Sequence, residues 1–543
     1  IKQGLGNKIA IVLIDEDLKK IELTYNNIEN LINHFIKIFL KKFNLKKLKR
    51  NIVAIHSSAN LCSLISMLSC AKLGITHSVF FEDLSIEAIK IRCKILNTNI
   101  LITSCNDLDF KNKIKKINLG SKLNIFRFVK KSKYKPDILF NDLLLLKNKT
   151  MNVRYSFFKS NHPLFVLFTS GSTGEPKGIV HSTGGYLVYI KFTCSNKFGV
   201  NKQSIMLTAS DPGWINGHSY SLYGPLSLGA CCVLIEKPSI LINPEILKKL
   251  LLSEKISILY LPVTLIRLIK AVKNKLRINS THLKILGSMG EPLSKFVAQW
   301  FSVSMSKKKL QIVNTYFQTE TGGIISSPGY KDSVKDVPFG TVGKPLSKYL
   351  NLILTSNKKK SEIKIGNPWP GCMIDVINKD LFKKYWDEQL NFNLFDFASL
   401  DNKKNFIIHG RTDDVINIRG HRIGSGEIEA ILLSIPEIKE VCAISVDDDL
   451  EGASIFIFLS RKNNKIFRIE KKVNDKIIKN FGNYALPKKI IILSELPKTR
   501  SGKILRRLLR VISKNPKIDK LGDLSTILNK KVVYEIKKKM LLN

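Results

Sequence analysis

The chain has 543 residues, a formal net charge of +44 and a hydrophobic content of 44%. That length exceeds what one core holds, so two or more domains are expected. Its nine cysteines form no Cys-x-x-Cys pair and no Cys/His cluster, which argues against a zinc site and a disulfide framework and fits a reducing, cytoplasmic compartment. The basic excess is spread along the whole chain instead of gathering in an arm or helix stripe. It reads as a compositional bias toward Lys, Ile and Asn, with no specific nucleic-acid partner. The most apolar stretch, residues 61–70, is followed by Lys72 and is too short to span a bilayer, so no membrane partner is expected. No signal-peptide pattern opens the chain, and the start at Ile1 instead of Met leads us to expect a natural N-terminus further upstream.

Residues 9–13 and 52–55 read as strands, 25–39 and 60–73 as helices, and 74–80 as a strand again. Strand–helix alternation of this kind predicts a parallel α/β sheet with helical crossovers. Residues 106–160 are lysine-rich and weakly periodic, and are expected to form a surface excursion. The apolar run 163–167 then reads as a buried strand, and Gly184-Gly185 as entry into a helix. Between them lies Phe168-Thr169-Ser170-Gly171-Ser172-Thr173-Gly174-Glu175-Pro176-Lys177-Gly178. Glycines let a backbone approach an oxyanion closely, hydroxyls and amides donate to phosphate oxygens, and Lys177 adds charge. The loop lacks the Gly-Lys-Ser/Thr ending of a Walker A sequence.

Residues 211–220 are turn-rich and carry Trp214, His218 and Tyr220. Residues 256–261, 283–286 and 312–316 read as buried strands. They end in Pro262, in Gly287-Ser288-Met289-Gly290-Glu291-Pro292 and in Phe317-Gln318-Thr319-Glu320-Thr321-Gly322-Gly323. Ligands of doubly wound sheets gather where strand C-termini open into such loops, so the three ends are read as one site. Residues 324–400 hold short strand-like pieces among prolines and glycines. The pattern changes at Gly410-Arg411-Thr412-Asp413-Asp414. Beyond it, strands at 415–418, 441–445 and 454–459, helices at 427–433 and 471–480, and a closing basic helix from 504 make a compact α+β unit. The expected fold class is therefore α/β: a large N-terminal domain of parallel-sheet αβ layers, residues 1–412, joined by a hinge to a small α+β domain, 413–543.

Five motifs occur in the order of the adenylate-forming family of acyl-CoA synthetases, luciferases and adenylation domains. They are 168–178, Gln318-Thr319-Glu320-Thr321-Gly322, Gly410-Arg411-Thr412-Asp413-Asp414, Gly420-His421-Arg422 and Pro497-Lys498-Thr499-Arg500-Ser501-Gly502-Lys503. Residues 181–186, Gly217-His218-Ser219-Tyr220, Tyr223-Gly224-Pro225-Leu226 and Gly290-Glu291-Pro292 resemble the acetyl-CoA synthetase branch. The resemblance runs from about residue 8 to about residue 512. It implies an AMP-forming ligase that uses ATP, CoA and Mg²⁺, acts as a monomer, and activates acetate or a similar short carboxylate as acyl-AMP before passing it to CoA. A propionyl or other short-acyl synthetase, an adenylating relative with impaired CoA use or none, and an inactive relative are the alternatives.

The resemblance also implies roles. Thr169, Ser170, Gly171, Ser172, Thr173, Gly174 and Lys177 would hold the β- and γ-phosphates. Gly290, Glu291 and Pro292 would line the adenine slot, and Asn314, Thr315, Tyr316, Phe317 and Gln318 would continue the nucleotide wall. Thr319 would donate to the α-phosphate and Glu320 would hold Mg²⁺, a hard cation suited to carboxylate and phosphate oxygens. Asp396 would take the ribose hydroxyls with Arg411 beside it, and Arg422 would face the phosphates. Lys503 would stabilise the adenylation transition state. Asp413 would serve as the hinge, or simply cap a turn. Ile215, Asn216, Met289 and Phe317 would enclose the acyl tail, with Phe317 where the branch has Trp. Arg419, Gly420 and Lys479 would bind CoA. His218 is expected to be structural or pocket-lining, and Trp214 to border the acyl and pantetheine path. Four positions depart from the family pattern: Phe395 replaces Gly before Asp396, Glu82 and Asp83 replace glycines near the CoA nucleotide, and Ile478 stands where an arginine is expected.

Overall fold

Residues 61–73 are apolar on almost every side, and the helix they form, Leu61–Leu73, is buried on almost every side. Asn60 caps it, its Oδ1 accepting the Cys62 N–H at 2.9 Å, and Gly74 ends it in a left-handed conformation at φ +66. The helix shares one apolar core with Ile11, Cys232 and Leu234 from one sheet and with Val53, Val79 and Leu167 from another. The computed structural model describes every residue except 2, 45–47, 49–51, 83, 113, 118–122, 156, 171–175, 273–274, 307, 348–349, 357–360, 378, 413–414, 419–420, 449–451, 463–468, 482, 500–501, 519–520, 522–526 and 543.

The first sheet has seven strands among the described residues, in the order Ile312–Asn314, Ile285–Met289, Ile258–Pro262, Ile205–Thr208, Cys231–Ile235, Ile9–Ile14 and Lys20–Thr24. All pairings are parallel except the edge hairpin Ile9–Ile14/Lys20–Thr24. The second has eight, in the order Asp375–Val376, Pro176–Ser182, Pro163–Ser170, His77–Phe80, Val53–His56, Ile100–Thr103, Asn124–Val129 and Ile138–Leu139. Central strands of both read as continuous buried runs, as expected of parallel strands covered on both faces. An antiparallel four-stranded sheet, Leu352–Leu354, Ser361–Ile365, Phe392–Leu400 and Phe406–Arg411, follows. The C-terminal unit has its own sheet, Ile438–Asp448, Gly452–Arg461 and Lys489–Leu493, and its own two apolar clusters. Among the described residues no helix is long and apolar enough to cross a membrane, and the nine cysteines are free thiols, eight of them buried.

Two expectations are corrected. Residues 106–160 are no surface excursion: Asn124–Val129 is a strand of the eight-stranded sheet, and Phe126 and Phe128 are fully buried against Phe35 at 5.6 Å each. The lysines around this strand masked its period. The helix expected at Gly184-Gly185 is present as Gly184–Phe198, and the strand Pro176–Ser182 precedes it, pairing antiparallel with Pro163–Ser170 so that the loop ends a hairpin. The basic helix, Arg506–Lys514, does not close the chain. A further helix, Lys531–Leu542, packs through Val532, Val533, Ile536 and Met540.

Candidate active site

The strands Ile258–Pro262, Ile285–Met289 and Ile312–Asn314 lie side by side in parallel, so their C-terminal turns emerge together at one edge. After the second, Gly290 takes φ +88, where a side chain would be strained. Glu291 follows, its Oε2 accepting from Arg267 Nη1 at 2.7 Å and its Oε1 from the Thr264 hydroxyl at 2.8 Å. Burial pushes the Glu291 carboxyl up, but Arg267, Thr264, Arg506 and Lys503 outweigh it and hold it below the usual carboxylate range.

After the third strand the chain divides its side chains between scaffold and site. Asn314 is spent on scaffold, donating to the Thr341 carbonyl at 2.8 Å and accepting from Ser288 at 2.9 Å. Thr315 likewise donates to the Ser288 carbonyl at 2.8 Å. Tyr316 and Gln318 converge on Asp396 Oδ2, each at 2.6 Å. Arg411, the register partner of Asp396 on the neighbouring strand, places Nη1 3.7 Å from Oδ1. Burial raises the Asp396 carboxyl above its ordinary value against the pull of Arg411, Tyr316 and Gln318. The residue before it, Phe395, stands at φ +54, the conformation for which glycine is suited.

The Thr319-Glu320 turn is pinned from outside. His181 Nε2 donates to the Thr319 carbonyl at 2.7 Å, and the Met373 N–H donates to the Glu320 carbonyl at 2.9 Å. Gly322, at φ +72, lies so close to Gly371 that a Cβ would come within 2.2 Å of its carbonyl oxygen, which excludes any other residue. The Glu320 carboxylate accepts from the Tyr385 hydroxyl at 2.9 Å. Among the described residues it has no cationic partner, in a chain with 88 basic and 44 acidic residues. A carboxylate with no cationic partner fits a hard divalent cation, which takes oxygen ligands.

Thr169 pairs with Lys177 across the hairpin, so both stand at the base of the glycine-rich loop. The backbone of Ser170 pairs with Pro176, while Gly171, Ser172, Thr173 and Gly174 lie outside the described residues. Lys177 Nζ lies 5.7 Å from the centre of the Tyr385 ring. On the opposite side, Phe317 packs edge-on against Tyr220 at 5.5 Å and touches both the core cluster that contains Ile215 and the one that contains Met289. The buried Asn216 Oδ1 has no hydrogen-bond partner among the described residues. Of the four acyl-pocket candidates, Phe317 is thus joined to the apolar cores that hold Ile215 and Met289. Trp214 packs on Phe81 at 4.9 Å. His218 is fully buried among His77, Phe165 and Tyr223 and is held neutral by burial.

The small domain reaches this edge through the Thr499–Lys503 turn. The turn is closed by the Thr499 N–H donating to the Lys503 carbonyl at 2.8 Å and by the Lys503 N–H donating to Thr499 Oγ1 at 3.2 Å. Gly502, at φ +85, sits on Thr264, where a Cβ would come within 2.6 Å of Thr264 Cγ2. Arg506 Nη2 donates to Glu429 Oε2 at 2.5 Å, and Glu429 also feels Arg267 of the large domain. Lys503 is thus brought beside Glu291. Arg422 lies on the strand His421–Gly424 opposite Asn417, on a backbone that is described. Asp413, Arg419, Gly420 and Asp83 lie outside the described residues. Lys479 is exposed in the last turn of Ile469–Phe481, and among the described residues no contact joins it to the rest.

The profile described as AMP-binding enzyme matches residues 3–386, and that of the AMP-binding enzyme C-terminal domain matches residues 427–503. The chain belongs to the AMP-binding enzyme family. Its relatives include the acetyl-coenzyme A synthetase of Leptospira biflexa, 32% identical over 98% of this chain and 85% of that one. The acetyl-coenzyme A synthetase of Coprinopsis cinerea is 31% identical over 92% and 80%. Among solved structures, the acetoacetyl-CoA synthetase from Streptomyces lividans superposes with a TM-score of 0.82 at 16% identity, over 99% of this chain and 84% of that one. A benzoate CoA ligase from Burkholderia xenovorans gives 0.77 at 17% identity, over 94% and 98%. In this AMP-binding enzyme, sequence reasoning missed the supporting groups Thr264, Arg267 and Tyr385. None lies in a glycine-rich or charged motif. Thr264 and Arg267 could have been sought on the helix that follows a site strand, Val263–Val272, whereas Tyr385 leaves no local signal.

Proposed function

We propose that the chain is an AMP-forming acetate–CoA ligase using ATP, CoA and Mg²⁺. A carboxylate oxygen of acetate attacks the α-phosphorus of ATP and pyrophosphate leaves. The CoA sulfur then attacks the acyl carbon and AMP leaves. The observation that carries the reading is the meeting of Glu291, the Thr319-Glu320 turn and the Asp396–Arg411 pair with the Lys503 turn at one edge of the parallel sheet. Asp396 keeps Oδ1 directed at Arg411 while Oδ2 is taken by Tyr316 and Gln318, which suits a carboxylate that accepts from a ribose hydroxyl. Thr319 donates to the α-phosphate, Thr169 and Lys177 hold the outer phosphates, and Lys503 and Arg422 stabilise charge as it develops. A Mg²⁺ ion held by Glu320 would neutralise charge on the departing pyrophosphate. The site groups belong to a large domain, 1–412, and a mobile domain, 413–543, that turns about Asp413 in a monomeric, cytoplasmic enzyme.

Ile215, Asn216, Met289 and Phe317 bound the acyl tail. Phe317 leaves more room than the indole of the branch, while Ile215 and Met289 take some of it back. One methylene is worth about 0.8 kcal/mol, and roughly 10–200-fold in discrimination at best. Acetate and propionate should therefore lie within about tenfold in kcat/KM, and acids of about six carbons or more should fail. Pyrophosphate release across a panel of carboxylates, with and without CoA, tests this. Phe317→Gly should extend the range to longer acids. A preference for medium chains, or an unchanged profile in Phe317→Gly, would refute the acyl assignment.

A further inference from the structure

Tyr385 belongs to none of the motifs that mark the site, yet it touches two of its charged groups. It follows the short helix Lys379–Lys383, with its N–H donating to the Phe382 carbonyl at 3.1 Å and its own carbonyl accepting from the Asn393 N–H at 2.7 Å. Its ring is stacked on Phe392 at 5.5 Å and 22° and meets the Phe395 ring edge-on at 5.6 Å. Phe392 is itself clamped by Trp369 and Trp386 at 5.2 and 5.1 Å. The residue is 5% exposed. A ring fixed at both ends of its backbone and packed on two rigid aromatics has little rotamer freedom. What it presents to the site is one hydroxyl and one face. The hydroxyl donates to Glu320 Oε1 at 2.9 Å, and Lys177 Nζ lies over the ring at 5.7 Å.

We propose that Tyr385 is a positioning residue for nucleotide activation. Its hydroxyl sets the rotamer of the Glu320 carboxylate, and its ring seats the Lys177 ammonium, so that the cation-binding carboxylate and the phosphate-loop lysine are placed relative to each other before ATP arrives. The inference rests on the reading of Glu320 as the divalent-cation ligand given above. A carboxylate on a turn has several rotamers, and a charge-assisted hydrogen bond from a fixed phenol to Oε1 selects one of them. Ammonium over an aromatic face is favoured electrostatically without a counter-ion that would compete with phosphate. A merely structural Tyr385 would support the Phe392 and Phe395 stack and have no effect on metal affinity.

The test compares Tyr385→Phe, which keeps the ring and its packing, with Glu320→Gln and with the double variant, all in the full chain. Two readouts are used: Mn²⁺ affinity of the ATP complex by electron paramagnetic resonance, and half-saturating Mg²⁺ in acetate-dependent pyrophosphate exchange. Tyr385→Phe should weaken both about tenfold, within what loss of a hydrogen bond to a charged group brings. It should leave the thermal midpoint and the thioesterification of supplied acetyl-AMP unchanged. In the Glu320→Gln background the same substitution should have no further effect. If Glu320→Gln lowers metal affinity while Tyr385→Phe does not, the positioning role is overturned and the Glu320 reading stands. If Glu320→Gln leaves metal affinity unchanged, both fall.

Discussion

Phe395 carries the clearest conflict between a residue and its backbone. At φ +54 a bulky side chain is strained, and the cost is of order 1–3 kcal/mol. The ring recovers part of it by packing on Tyr385 at 5.6 Å and lying 5.9 Å from the Arg411 guanidinium. Two truncations separate these effects. Ala removes the ring and keeps the strain, whereas Gly removes the ring and relieves the strain. In an ordinary strand Ala is more stable than Gly by about 0.5–1 kcal/mol. At 395 the order should invert, with Phe395→Gly more stable than Phe395→Ala by about 1 kcal/mol in urea unfolding. Equal stability, or Ala above Gly, would mean that the conformation is not strained. The departure from glycine was visible in the sequence. The conformation that makes it matter was not, because φ is set by Asp396 having to face Tyr316 and Gln318 while Leu394 stays in the core.

Individual elements were legible where the apolar period was undisturbed. Residues 25–39 became the helix Tyr25–Lys42, and the buried runs before Gly290 and Phe317 became adjacent parallel strands. The period failed in lysine-rich stretches, where Phe126 and Phe128 are buried between basic neighbours, and at the hairpin, where turn chemistry looked like the start of a crossover. Long-range pairs left no local mark: Arg267 with Glu291, or Tyr385 with Glu320 across 65 positions, exist only after the sheet is assembled. The same is true of three histidines from three elements that meet around Phe165. They are His77 of His77–Phe80, His181 of Pro176–Ser182 and His218 of Ile215–His218, with ring centres 6.1, 5.2 and 4.4 Å from it. Burial lowers His77 to about 3, His181 to about 4, and His218 also downward, from an ordinary 6.5. A depressed folded value means that the unfolded chain binds these protons first. The stability is therefore fully present above pH 6.5 and is lost as pH falls toward 4 and 3. Each histidine contributes a slope of about 1.4 kcal/mol per pH unit in that window. Unfolding free energy measured from pH 7.5 down to about 5 should fall, and His77→Gln should flatten the slope by about one proton's worth. A pH-independent wild type would contradict this account of the cluster.

At the scale of the whole molecule, the site is complete only where two domains meet. The large domain carries the proposed nucleotide wall, and the small domain brings Lys503 on a turn whose Gly502 rests on Thr264. Charges reinforce that seat: Arg267 pairs with Glu291 and also acts on Glu429, while Arg506 pairs with Glu429 and also acts on Glu291. A seat built from alternating charges can be broken and remade, which suits the proposed rotation of the small domain between half-reactions. The order of the motifs announced both domains, but the Thr264–Gly502 contact that joins them could not be read from either motif. The most direct measurement is exchange of labelled pyrophosphate into ATP without CoA, which isolates the first half-reaction, in the unmodified enzyme and in Lys503→Ala. The account predicts exchange that requires acetate, proceeds without CoA, and drops by roughly 10²–10³ in Lys503→Ala, the loss of one transition-state charge contact, while supplied acetyl-AMP is still converted to acetyl-CoA. Exchange that ignores acetate, or that survives intact in Lys503→Ala, would contradict it.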